Sequence, residues 1–148
     1  MAELNDLERL AAEHACRDLA IEYAEIVDNQ DYERLREIFS EDADLGRPTN
    51  PNDVIRGVEN IVASFLARPR TRITRHFISN IRVRLETPNT AVGSCLVLLF
   101  VADASEPEIP EGRQAASKQL IGVYRDRYIR TRQGWRFAER RGTTVLHT

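Results

Sequence analysis

Thr74-Arg75-His76-Phe77-Ile78-Ser79-Asn80-Ile81-Arg82-Val83 decides the fold, because here the apolar residues stop recurring every third or fourth position and start to alternate. Upstream, Leu4, Leu7, Ala11, Ala15, Leu19, Tyr23 and Val27 hold helical spacing and predict one long first helix with a single buried stripe. Asn5 followed by Glu8 has the form of a capping box at its start, and Asp28-Asn29-Gln30-Asp31 ends it. Asp31 is then placed to cap a short second helix burying Leu35, Ile38 and Phe39, followed by a turn over 40–44 and a loop over 48–52. Val58, Ile61, Val62, Phe65 and Leu66 predict a third helix, closed by Pro69. Downstream, the period of two predicts long strands near 73–86, 91–102, 116–131 and 134–146, with turns at Pro88-Asn89 and Gln133-Gly134. Residues 103–114, acidic and holding Pro107, Pro110 and Gly112, are too long for a tight hairpin and suit a pocket lid or an oligomer contact. Helices followed by antiparallel strands give an α+β fold, with the helices covering one face of a strongly curved sheet.

The same stretch holds His76. An imidazole is the side chain whose ordinary pKa lets it exchange protons near neutrality. The chain has 3 histidines; His14 falls on an exposed-looking helical stretch and His147 is the penultimate residue, so a general base points first to His76. The 148 residues, 42% hydrophobic and 30% charged, fit one domain with a substantial core. No apolar run approaches the roughly 20 residues of a membrane span, and the acids among the first residues do not suit a signal peptide, which predicts a cytoplasmic protein. Cys16 and Cys95 lie far apart with no CxxC, so they read as buried small hydrophobes and not as a metal site or disulfide. Arg68, Arg70, Arg72, Arg75, Arg82 and Arg84 form a basic stretch, but the net charge is −2, aromatics are 7% and no stacking motif interleaves them. Nucleic acid is therefore not expected as a partner.

Several local motifs in this order resemble the nuclear transport factor 2-like superfamily, and within it the SnoaL-like proteins. They are Tyr23 and Asp28 late in the first helix, Asp42-Ala43-Asp44, Gly57-Val58-Glu59-Asn60-Ile61, His76-Phe77-Ile78-Ser79-Asn80, and Trp135-Arg136-Phe137-Ala138-Glu139-Arg140-Arg141-Gly142 on the last strand. The resemblance covers nearly the whole chain as a single domain and implies a cone-shaped, strongly curved antiparallel sheet wrapped around three N-terminal helices, the cystatin-like α+β barrel. The polar positions are similar to the branch containing scytalone dehydratase, bile-acid 7α-dehydratase and hexachlorocyclohexane dehydrochlorinase, in which a His and Asp pair removes a carbon-bound proton. By motif position the resemblance makes His76 and Asp28 the catalytic pair, with Arg140 and Tyr23 as substrate-binding residues. It implies no cofactor and no metal.

The pair also makes physical sense. Asp28 stands near the C-terminal end of a helix, where the dipole disfavours an anion and an imidazolium is a welcome neighbour. A carboxylate accepting from one ring nitrogen fixes the tautomer and leaves the other as base. Asp28 could equally just terminate the helix, and Tyr23 could be a core tyrosine. Tyr23 and Asp28 are five positions apart, about 140° of rotation on a helix, so they share a pocket only if the helix has ended by Asp28. Arg140 and Arg141 are neighbours on a strand and point to opposite faces, leaving one of them solvated. Strict alternation places His76 with Ile78, Asn80, Arg82 and Arg84, away from Phe77, Ile81, Val83 and Leu85. A bulge near Ser79 to Ile81 would switch that parity and turn His76 inward. Asp103, at the end of its strand, is a further candidate pocket acid or a solvated turn.

Fold does not set function here; the pocket does. The expectation is a cofactor-independent lyase, of dehydratase type, acting on a small cyclic and mostly apolar ligand, with an isomerase using the same proton abstraction as an alternative. The other alternative is non-catalytic: a small-molecule binder, or a scaffold like the small subunit of aromatic-ring dioxygenases. A homo-oligomer, dimer or trimer, is expected through the sheet, with no membrane partner. The pocket would be closed by residues 103–114, by residues 46–56 or by a partner subunit.

Overall fold

The computed structural model describes residues 3–148. Helix α1 runs Asp6–Asp28, a 3-10 helix Tyr32–Glu37 follows, and strands β1 (Phe39–Arg47) and β2 (Asn50–Arg56) form a hairpin before helix α2 (Val58–Leu66). Strands β3 (Arg72–Thr87), β4 (Thr90–Asp103), β7 (Leu120–Thr131) and β8 (Gly134–His147) make the body of the sheet, and β5 (Glu108–Ile109) with β6 (Gly112–Arg113) is a small separate hairpin. The capping box is present in full: Glu8 N–H donates to Asn5 Oδ1 at 2.9 Å and Asn5 N–H to Glu8 Oε2 at 3.0 Å. Asp31 makes no side-chain cap; its carbonyl takes the Arg34 N–H instead, as suits a 3-10 turn.

The α+β architecture stands, with three corrections to its details. The six-stranded sheet, ordered β2-β1-β8-β7-β4-β3, is mixed, because β1 pairs parallel with β8. It is also open, with β2 and β3 as its two edges. The expected turn and loop over 40–52 are largely strand: Ala43 and Leu45 are buried at alternate positions, while Pro48 sits in the tight connection between β1 and β2. Asp42, Asp44 and two prolines masked that short alternation.

The core lies between the sheet's inner face and the helices. Tyr23 is its hub, meeting Phe39, Phe65, Tyr124 and Phe137 edge-on at ring separations of 6.1, 6.3, 5.9 and 6.5 Å. Edge-to-face pairs each add about 0.5–1.5 kcal/mol beyond the area they bury. Among the described residues no helix is long and apolar enough to cross a membrane.

Two bulges decide which polar side chains join this core. On β3, Asn80 and Ile81 together stand opposite Cys95, since Ser79 pairs with Leu96 and Arg82 with Ser94. Asn80 takes the extra residue's strain with φ +53°, a conformation asparagine tolerates better than most residues. Arg17 of α1 donates to the Ile81 carbonyl at 3.0 Å, satisfying an acceptor at the break. Before the bulge Thr74, His76 and Ile78 face inward; after it Ile81, Val83 and Leu85 do. On β8, Ala138 is the extra residue between Phe137 and Glu139. Trp135 and Phe137 face in before it, Arg140 and Gly142 after it, and Arg141 is left half-exposed.

Candidate active site

The end of α1 is tied to the start of β3. Gln30, with φ +59° just past the helix, reverses the chain and donates from Nε2 to the carbonyls of Arg70 at 3.1 Å and Arg72 at 2.9 Å. This sets Asp28 beside the inward face of β3. Its Oδ1 accepts from the Thr74 hydroxyl at 2.8 Å and lies 2.5 Å from His76 Nδ1, while Oδ2 accepts the His76 backbone N–H at 2.8 Å. The donors offset the unfavourable dipole at the helix end, and a carboxylate so anchored holds the imidazole by Nδ1–H. The two side chains are 8% and 11% exposed, so water competes little for this contact. Nε2 remains on the far side of the ring as an acceptor.

That ring is a wall between two spaces. On one side lies a shallow cleft with Asp28, Ile21, Ala24 and Arg75. On the other is an internal cavity lined by Tyr23 and Val27 of α1, Val97 and Leu99 of β4, Leu120 and Tyr124 of β7, and Thr74 and His76 of β3. Its mouth is ringed by Arg47, Pro48, Thr49, Arg68 and Arg72. The free volume is about 30 Å³, room for a water molecule or two. A ring-sized compound fits only if the side chains lining the cavity move apart.

The tip of the β1 and β2 hairpin, Arg47 to Thr49, lines the cavity, while residues 103–114 do not. Pro48 docks over Gly142, where an added Cβ would come within 2.5 Å of the proline ring, and the Thr144 hydroxyl donates to the Pro48 carbonyl at 2.8 Å. Asp103 is the exposed last residue of β4; its carboxylate accepts from Ser105, which holds it below the usual carboxylate range.

Of the four residues singled out in the sequence, His76 and Tyr23 line the cavity. Asp28 stands behind His76, still in the last turn of α1, which agrees with the rotation that separates it from Tyr23. Arg140 is fully buried beneath the cavity floor, its guanidinium 4.5 Å from the Tyr23 ring, 3.8 Å from Tyr124 and 4.7 Å from Phe137. It donates to Cys95 Sγ at 3.3 Å and faces Asp126, Nε to Oδ1, at 3.4 Å. That pair is imperfect: Oδ1 and Nε make no hydrogen bond. Burial therefore pushes the Asp126 carboxyl up to about 6, against the opposing pull of Arg140 and the Tyr128 hydroxyl. Arg140 acts on the cavity through the two tyrosines that stack on it.

Sequence reasoning missed Thr74, Tyr124 and the mouth arginines. Thr74 was findable as the residue two before His76 on the same strand face. Tyr124 alternates with Gly122, Asp126 and Tyr128 on the inward face of β7. Burial, followed by the neighbouring Tyr23, pushes its phenol well above the usual range, so it remains a neutral donor. Among the described residues no group of three or more His, Cys, Asp or Glu could hold a metal ion.

A sequence profile of the SnoaL-like domain matches residues 8–141. The chain belongs to the SnoaL-like family. Solved structures similar to this SnoaL-like protein include hexachlorocyclohexane dehydrochlorinase LinA-type3 from Novosphingobium barchaimii LL02, 25% identical with a TM-score of 0.77, over 97% of this chain and 93% of that one. A scytalone dehydratase-like protein from Novosphingobium aromaticivorans DSM 12444 is 22% identical with a TM-score of 0.76, over 95% and 89%. An NTF2-like protein with a cystatin-like fold, also from Novosphingobium aromaticivorans, is 20% identical with a TM-score of 0.74, over 94% and 85%. The last two show a shared fold. No functionally curated protein matches the chain. The SnoaL-like fold thus stands among neighbours of dehydratase and dehydrochlorinase type.

Proposed function

We propose that this SnoaL-like protein is a cofactor-independent lyase in which the His76 and Asp28 dyad removes a carbon-bound proton. One observation carries the reading: the Asp28 carboxylate, anchored by Thr74 and by the His76 backbone, meets Nδ1 at 2.5 Å on a histidine that lines the cavity, which leaves Nε2 to act as the base. Nε2 takes the proton, the C–H electron pair becomes the new C=C bond, and the C–O pair leaves with a hydroxide that regains a proton from the imidazolium as water. Asp28 stabilises the imidazolium in between. Tyr23 and Tyr124 offer hydroxyls to the developing oxyanion. A halide could depart by the same route; hydroxylated rings are the commoner metabolites, which favours dehydration. An isomerase differs only in returning the proton to another carbon.

The second reading is a non-catalytic scaffold, favoured by the cavity's small free volume. Either reading accommodates a homo-oligomer through the sheet, whose outer side carries Phe77, 61% exposed and packed edge-on against Phe100 at 6.0 Å. The test is to incubate a panel of cyclic β-hydroxy carbonyl compounds with the protein and with His76→Gln, following conjugated product by absorbance and mass. Turnover lost in a folded His76→Gln supports the lyase. Turnover undiminished in that variant excludes His76 as base, and no turnover or binding of any member supports the scaffold.

A further inference from the structure

Resting on the lyase reading, the mouth of the cavity says what kind of substrate enters. Arg47, Arg68 and Arg72 all line it, each half-buried, from β1, from the segment after α2 and from the start of β3. Among the described residues none of the three guanidiniums makes an ion pair within 4.0 Å or donates a side-chain hydrogen bond. Of the chain's other arginines, the fully buried Arg140 faces Asp126, and Arg36 and Arg56 at the surface pair with Glu59 and Asp44. Arg47 and Arg68 instead lie over the Phe65 ring, at 5.2 and 4.2 Å from its centre, a contact that uses none of their N–H donors. Arg68 is close enough to both Arg47 and Arg72 for mutual repulsion, and only Asp53 offers Arg47 a distant carboxylate. Three like charges gathered at one cavity mouth destabilise the empty state, and the Arg fork matches the planar or tetrahedral oxygens of an anion.

We infer that the substrate is anionic, and that Arg47, Arg68 and Arg72 receive its carboxylate or phosphate group at the cavity mouth while its reacting carbon lies inward at His76. This revises the expectation of a mostly apolar ligand: the ring occupies the apolar interior formed by Val27, Val97 and Leu99, and the charge stays at the rim. The anionic group is a binding handle and not the leaving group, since it is held at the opposite end from the base.

The test is calorimetric titration of the protein at fixed ionic strength. The probes are cyclohexanecarboxylate, benzoate and phenyl phosphate, with benzamide and benzyl alcohol as uncharged counterparts. Acid should bind at least about tenfold more tightly than amide, the loss expected when charge-assisted hydrogen bonds are removed. That preference should collapse in Arg68→Gln and Arg72→Gln, recover in part in Arg68→Lys, and weaken with added salt. The carboxylate and phosphate arms show which oxyanion the site takes. Thermal melts establish that each variant is folded; Arg47→Gln replaces any that is not. Equal binding of acid and amide, or an acid preference that persists in Arg68→Gln/Arg72→Gln, overturns the proposal. His76→Gln should keep the preference; if 4-oxocyclohexanecarboxylate, whose protons beside the ketone are activated, binds yet never exchanges them with heavy water faster in the parent protein than in His76→Gln, the dyad is sunk and the anion site is left standing. Turnover of uncharged compounds only would do the reverse.

Discussion

Replacing Asp28 with asparagine should leave the fold almost intact and disable the base, because the two substituents of an amide cannot do what two carboxylate oxygens do. In the protein, Oδ2 faces the His76 backbone N–H, which can only donate, and Oδ1 faces the Thr74 hydroxyl and the ring Nδ1. The asparagine oxygen must take the first position, which turns its NH₂ toward Nδ1. The imidazole then accepts at Nδ1 and carries its proton on Nε2, where the base is needed. The native Nδ1–H···Oδ1 contact, at 2.5 Å between side chains 8% and 11% exposed, is charge-assisted. Such a bond contributes about 1.5–3 kcal/mol, so it favours the native tautomer by roughly tenfold to a hundredfold. Because the amide still satisfies the backbone N–H and the threonine hydroxyl can rotate to accept, the stability loss should be about 1–2 kcal/mol, a few degrees in Tm for a domain of this size. Catalysis should fall by about two to four orders of magnitude, the range associated with a general base. Long-range proton–nitrogen NMR of the histidine rings reads the tautomer without any substrate. Asp28→Asn that still shows Nδ1–H at His76, or that keeps full turnover while its tautomer inverts, would refute the reasoning.

Arg140→Met should destabilise by about 3–5 kcal/mol in chemical denaturation, since it leaves the Asp126 carboxylate buried without its counter-charge. Adding Asp126→Leu should recover most of that loss, and a double variant as unstable as the sum of the two singles would contradict a coupled pair. Asp126 should also leave a signature in stability against pH. Its carboxyl, ordinarily near 3.8, is raised to about 6, so below 3.8 both states hold the proton and between the two values only the folded state does. Stability therefore falls as pH rises from about 4 to about 6 and then levels. Denaturation curves of Asp126→Asn should lack this decline; an unchanged pH profile argues that the carboxyl is not raised. Asn80→Gly should be tolerated and Asn80→Val should cost about 1–2 kcal/mol, because a β-branched residue resists φ +53°. If the valine variant is as stable as the parent, the bulge is not held by that conformation.

Apolar spacing placed α1, α2 and the four long strands, although the third of those strands begins at Leu120 and not near 116, and the capping box at Asn5 and Glu8 was legible to the residue. Local spacing carries such features because hydrogen bonds and buried stripes repeat with fixed periods along the chain. The β1 and β2 hairpin was hidden because its burial at Ala43 and Leu45 is short and interrupted by aspartates that face out. His76 and Asp28 were found through motif position, and the bulge needed to bring His76 inward was anticipated at Ser79 to Ile81. The bulge at Ala138 was not, although it decides that Arg140 and not Arg141 is buried.

The sequence by itself determined the α+β order of elements, the single titratable base in the right region and a carboxylate with reason to partner it. Tertiary structure decided the rest. An extra residue in a strand reverses every side chain beyond it, and whether the strand accepts it depends on groups far away in the chain, such as Arg17 on the Ile81 carbonyl. Only the assembled fold could show that Asp28 stands behind His76, that Arg140 lies under the cavity floor, and that Arg47 of the β1 and β2 hairpin joins Arg68 and Arg72 at its mouth. Electrostatics in space, and not charge along the chain, separates a solvated basic stretch from a site prepared for an anion.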